Sequence, residues 1–105
     1  MTASVVKAWL DRREPSRPAA LGVVMAQAVD TCPRTALAAA TTMADALGTL
    51  GMHTLDGVNT GSNTGDALAM DLLAADAFVT YAFEAAAEED VDVAMLARRL
   101  LREAA

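Results

Sequence analysis

The stretch "TGDALAMDLLAADAFVTYAFEAAAEED", Thr64 to Asp90, decides the fold. It is alanine-rich and free of proline, and its spacing predicts one helix of about seven turns, roughly 39 Å long. Leu68, Leu72, Ala75, Val79, Ala82 and Phe83 form one stripe along that helix. Met70, Leu73, Ala77 and Tyr81 lie roughly opposite. A chain of 105 residues has one core to offer. The second side, Met70, Leu73, Ala77 and Tyr81, is therefore the candidate interface.

The flanking segments also read as helices. Val5, Val6, Trp9 and Leu10 share a side of a first helix over residues 2 to 13, which "EPSRP" ends because two prolines cannot continue it. Leu21, Val24, Met25, Ala28 and Val29 repeat at helical spacing after Pro18. A third helix is expected from Pro33 to about Met52, with a stripe of small residues that lets a neighbour come close. Gly48 and Gly51 stand in its last turns, where each costs up to about 1 kcal/mol against alanine, so fraying or bending is expected there. "DGVNTGSNTG", Asp56 to Gly65, reads as a loop tolerant of positive φ. A last helix starts at Asp90 or Asp92 and carries Val93, Leu96, Ala97, Leu100 and Leu101, with Arg98, Arg99 and Arg102 near its favourable C-terminal end. The expected architecture is all-α, a compact bundle of about five helices in a single domain over residues 1–105.

Composition narrows the function classes. Hydrophobic residues make up 54% of the chain, but 25 of them are alanines, which favour helix and fill little volume. Thin, closely approaching helices follow. A net charge of −6 argues against nucleic acid, where basic patches supply affinity. Arg12, Arg13 and Arg17 read as solvated helix ends rather than a phosphate site. Cys32 is alone, which leaves no internal disulfide. No apolar run reaches membrane-spanning length and the N-terminus lacks the apolar core of a secretory signal, so a cytoplasmic location is expected.

Few residues offer chemistry. Asp66, Asp71 and Asp76 stand five apart, each turned about 140° from the last, and cannot cluster on one metal ion. His53 precedes Asp56 by three residues, near Asn59, and these three are the candidate ligand-binding group. Neither HExxH nor a P-loop pattern occurs. The methionines are spread along the helices and read as core filler.

The long helix and what precedes it resemble a known family. "DLLAADAFVTYAFEAAAEE" is similar to the AGD-bearing helix of trans-prenyl diphosphate synthases. In that all-helical family a helix ends in an Asp-rich DDxxD motif, a glycine-rich loop follows, and the AGD helix comes next. Residues 36–90 share this layout. Thr41-Thr42-Met43, then Thr54-Leu55-Asp56-Gly57-Val58-Asn59, then Ala74-Ala75-Asp76-Ala77 are similar to phrases of the small, non-catalytic subunits of heteromeric long-chain enzymes. Gly57 replaces the second aspartate and Ala75 the glycine before Asp76.

The resemblance implies prenyl-synthase-like helical packing and an accessory role. Prenyl transfer uses Mg²⁺ ions held by clustered carboxylates. One Asp56 beside Gly57 and Asn59 cannot hold them, so Mg²⁺ would come through a catalytic prenyl diphosphate synthase subunit. The chain would dock on that subunit and help set product chain length. Two alternatives stand beside this: a helical homo-oligomeric interaction module without catalytic activity, and a small-ligand or metal-binding helical domain using His53 and Asp56.

Overall fold

The computed structural model describes residues 1–104, and among them there are six helices and no strand. They are α1 (Ala3–Asp11), α2 (Ala19–Thr31), α3 (Arg34–Ala38), α4 (Met43–Thr60), α5 (Gly65–Glu88) and α6 (Val93–Ala104). An antiparallel pair, α4 and α5, is the centre of the molecule. The short helices α1 to α3 and the terminal α6 pack around it. At 24 residues α5 is the longest helix, about 36 Å. The radius of gyration of 12.9 Å matches the value of about 13 Å expected for a folded domain of this length.

The third expected helix is two helices. The break at Ala40–Thr42 comes from capping. Thr42 is extended (φ −127°, ψ 160°), and its side chain accepts a hydrogen bond from the Asp45 N–H. The Glu89 carboxylate, arriving from the end of α5, accepts from the N–H groups of Met43 and Ala44, both at 2.9 Å. These bonds satisfy first-turn donors that would otherwise lack partners, and they place negative charge at the positive end of the helix. The same order, Thr-x-x-Asp, is a capping-box signature legible at Thr42 to Asp45.

The expected 56–65 loop is also shorter than its composition suggested. Helix α4 runs on to Thr60, whose hydroxyl donates back to the Asp56 carbonyl at 2.9 Å, and the connection is only residues 61–64. Asp56, Gly57 and Asn59 are therefore helical and exposed. At the other end of α5, Asp90 takes positive φ and Asp92 caps α6 by accepting from the Ala94 and Met95 N–H groups.

Gly48 and Gly51 do not fray. They are buried at the closest helix crossings, and their missing side chains are what allow them. A Cβ on Gly51 would lie 2.8 Å from a Val79 methyl and 3.5 Å from the Ala75 carbonyl oxygen. A Cβ on Gly48 would lie 3.1 Å from Leu100 of α6. Tertiary packing overrides the weak propensity here. Ala44, Ala46, Ala74, Ala82, Ala85 and Ala86 are buried around these crossings, and Phe78, Met25, Leu47, Leu50, Val6 and Val29 supply the bulk.

The buried face of α5 centres on Phe78, with Ala74 and Ala82 one turn either side. The two stripes expected on opposite sides are flanks of this single face. Ala75 and Val79 border it on one side, Ala77 and Tyr81 on the other, and Leu72 and Leu73 fall at its exposed edges.

Gly51 and Gly57 should respond oppositely to alanine. Gly51→Ala gains about 1 kcal/mol of helix propensity but forces overpacking worth about 1–3 kcal/mol, so urea unfolding should show net destabilisation. A Cβ on Gly57 meets nothing within 4 Å. Gly57→Ala should therefore stabilise by about 0.5–1 kcal/mol. Val79→Ala should relieve part of the Gly51→Ala cost. Equal stabilisation by both glycine replacements would contradict the close crossing.

Candidate functional site

The residues singled out by sequence do not gather in one place. His53 lines a depression of about 320 Å³ between α2, α4 and α5, together with Gln27, Thr31, Thr54 and Asp71. Asp56 and Asn59 do not line it and stand exposed elsewhere on α4. The carboxylate that shares the depression with His53 is Asp71, which accepts from the Asn63 side-chain amide at 2.9 Å. Among the described residues, no three His, Cys, Asp or Glu side chains are grouped to hold a metal ion. Cys32 is buried, and burial pushes its thiol above the ordinary value, which disfavours the thiolate.

The four residues expected at an interface separate by depth. Leu73 is exposed, while Met70 and Ala77 are half-buried. Tyr81 is engaged within the fold. Its ring meets Trp9 edge to face, with centroids 6.0 Å apart and planes at 83°. Arg13 lies over the other partner of that pair, its guanidinium carbon 3.9 Å from the Trp9 ring centroid. The same guanidinium donates to both carboxylate oxygens of Glu88, at 2.7 and 3.0 Å. This fork ties the turn after α1 to the end of α5. The hydrogen bond from Arg13 holds the Glu88 carboxyl below its ordinary range, and Glu88 raises the Arg13 value in turn.

A more coherent surface feature lies on the other flank of α5. Met52, Leu55, Leu72, Ala75 and Val79 line an open groove of about 250 Å³, with Gly51 at its floor and Asp76 among its lining residues. The Gly51 crossing creates it, because α4 and α5 approach closely there and leave their larger side chains splayed to either side. Helix α6 covers the neighbouring turn, where Leu96 and Leu100 sit over Gly48. The nearest neighbours of Gly51, one turn on, all come from α5. Leu72, 46% exposed, is left at the open edge. Asp56 follows Met52 by one turn and so extends the same side of α4.

Sequence reasoning placed Leu72 and Val79 in a core stripe and stopped the third helix near Met52, so this groove was missed. The signal was present in Met52, Leu55 and Val58, whose spacing continues the helical pattern past Met52.

Comparison with known proteins finds no matching family model, no matching curated protein and no matching solved structure.

The Arg13–Glu88 fork sets an expected acid response. A carboxyl with a depressed value contributes stability above the unfolded-state value, about 4.3 for glutamate, and that contribution is lost as pH falls through the lower folded-state value. Trp9 is the sole tryptophan and lies under Arg13. Its fluorescence should shift at a pH below the ordinary glutamate value, and Glu88→Gln should abolish that shift. An unchanged acid titration in Glu88→Gln would remove the fork as its cause.

Proposed function

We propose that this chain is an accessory docking subunit whose working part is the groove between α4 and α5. The observation that carries the reading is an apolar, open groove with a half-exposed leucine at its edge, on the helix pair that organises the fold. Burying one such leucine is worth about 1.5–3 kcal/mol, so a partner that fills the groove gains directly from Leu72. The groove is of the kind that takes a partner helix.

The resemblance to trans-prenyl diphosphate synthases supplies the partner class. Support comes from the chain order: α4 ends one turn after Asp56, a Gly/Asn connection follows, and α5 carries Asp76. In this reading the helices adopt prenyl-synthase-like packing against a catalytic polyprenyl diphosphate synthase subunit in the cytoplasm. The catalytic subunit binds Mg²⁺ and the diphosphate. This chain contributes a wall beside the growing product and so helps set its length. A single exposed Asp56 with Gly57 after it does not fit a cluster of Mg²⁺ ions, and no step is assigned to it. Among the described residues no helix is long and apolar enough to cross a membrane.

Affinity capture from the native host, read by mass spectrometry, tests this. A larger chain bearing two intact DDxxD motifs should co-purify with the wild type. Leu72→Asp should lose it while circular dichroism stays unchanged. Absence of such a chain, or capture indifferent to Leu72→Asp, sinks the reading.

A further inference from the structure

We infer that the groove between α4 and α5 receives α6 of a second copy of this chain. The inference rests on reading the groove as a docking seat, and it names the occupant when the larger catalytic chain is absent, the two being competitors for one seat. No Lys or Arg occurs between Arg34 and Arg98, a span that contains ten carboxylates. The groove lies within that span, with Asp76 lining it and Asp56 one turn along its α4 side. An occupant must therefore be apolar and cationic together.

Helix α6 has both properties on its outer side. Its inner side is used within the fold, through Leu96 and Leu100 over Gly48. Arg99 is used as well, donating to Asp45 at 2.9 Å and to the Thr49 hydroxyl at 2.8 Å. The outer side presents Met95 at 62% exposure and Leu101 at 71%. Arg98 and Arg102 are exposed beside them, and among the described residues neither forms an ion pair. Two large apolar side chains so open to water, interleaved with two unpaired arginines, complement an acidic apolar groove in both hydrophobicity and charge.

The groove and α6 are neighbours along α4, at Gly51 and Gly48. A two-fold axis lets each copy place its α6 on the other's groove, because an isologous contact is made twice. Doubling matters, since one helix in one groove falls short of the roughly 800 Å² per partner of a stable interface. Arg98 and Arg102 then face Asp56 and Asp76 across the contact.

Sedimentation velocity and light scattering on the purified full chain provide the test. The wild type should be a dimer. Leu72→Asp should raise the dimer dissociation constant at least about tenfold. The double variant Arg98→Glu/Arg102→Glu should also dissociate it, and circular dichroism should show native helicity in both. Asp56→Arg/Asp76→Arg should self-associate poorly but pair with Arg98→Glu/Arg102→Glu when the two are mixed. A wild-type monomer at high concentration overturns the inference, as does a dimer insensitive to both sets of changes. The two proposals fail differently. A monomer that still captures a larger chain through Leu72 defeats only the second-copy inference, whereas a Leu72-dependent dimer that captures nothing defeats only the heteromeric partner.

Discussion

The close approach of α4 and α5 at Gly51 is the constraint on which the rest depends. Val79 occupies the space that a Gly51 side chain would need, and Ala75 brings its carbonyl oxygen to 3.5 Å of the same point. Close-packed alanines extend the contact along both helices. Each such contact is small, and the sum is what holds the pair. The geometry also has a cost. A seam of small residues buries little volume, so the molecule relies on a few large side chains such as Phe78, Leu47 and Leu50 for its bulk. Large residues to either side of the seam, Leu72 and Leu73 among them, are pushed to its margins.

Electrostatics closes one end of this pair and leaves the rest of it open. Glu89 caps the start of α4, Arg99 joins α6 to Asp45 and Thr49, and Arg13 joins the turn after α1 to Glu88. Each tie sits near the α4 N-terminus or the α5 C-terminus, and each engages charge that would otherwise be solvated. The cations of the chain lie in its first 34 residues and in α6. The opposite end, around Asp56, Asp66 and Asp76, carries carboxylates with no cation in the neighbouring sequence. The segment from Asp56 to Asp76, which contains part of the groove lining, therefore carries four negative charges and no positive one.

Helix existence was legible in this sequence, and its interruptions were less so. The periodicities of α1, α2 and α6 follow from Val6 and Leu10, from Met25 and Val29, and from Leu96 and Leu100, whereas α5 is legible as a helix but its buried face centres on Phe78, which belongs to neither expected stripe. The break before Met43 was missed because alanine propensity runs through Ala38 to Ala40 uninterrupted. The break depends on Glu89, 46 residues away, reaching two backbone N–H groups. The extension of α4 to Thr60 was missed for the converse reason. Asp56, Gly57 and Asn59 are turn formers in isolation, and it is the half-buried Leu55 and Val58 beside them that pack in this turn. Of the candidate site, the sequence groups His53 with Asp56 and Asn59, whereas the structure sets it in a depression with Asp71, a residue the sequence weighs only within an aspartate series that cannot converge. Tyr81 was read as outward, and its contact with Trp9 depends on how α1 folds back, which no local pattern encodes.

Asp76 constrains any account of what the groove binds. A partner that covers Met52, Leu55, Leu72 and Val79 also draws water away from the Asp76 carboxylate, which lines the same groove. A carboxylate left buried and unpaired costs several kcal/mol, comparable to the whole gain from burying Leu72. A purely apolar occupant would thus recover little net free energy. An occupant that places a guanidinium beside Asp76 offsets the desolvation with a charge-assisted, geometrically specific pair. A helix docked there as proposed would therefore be selected by charge as well as by shape. Under the proposed docking, Asp76, the aspartate that the resemblance picks out, would act in physical terms as a filter on which helices can dock.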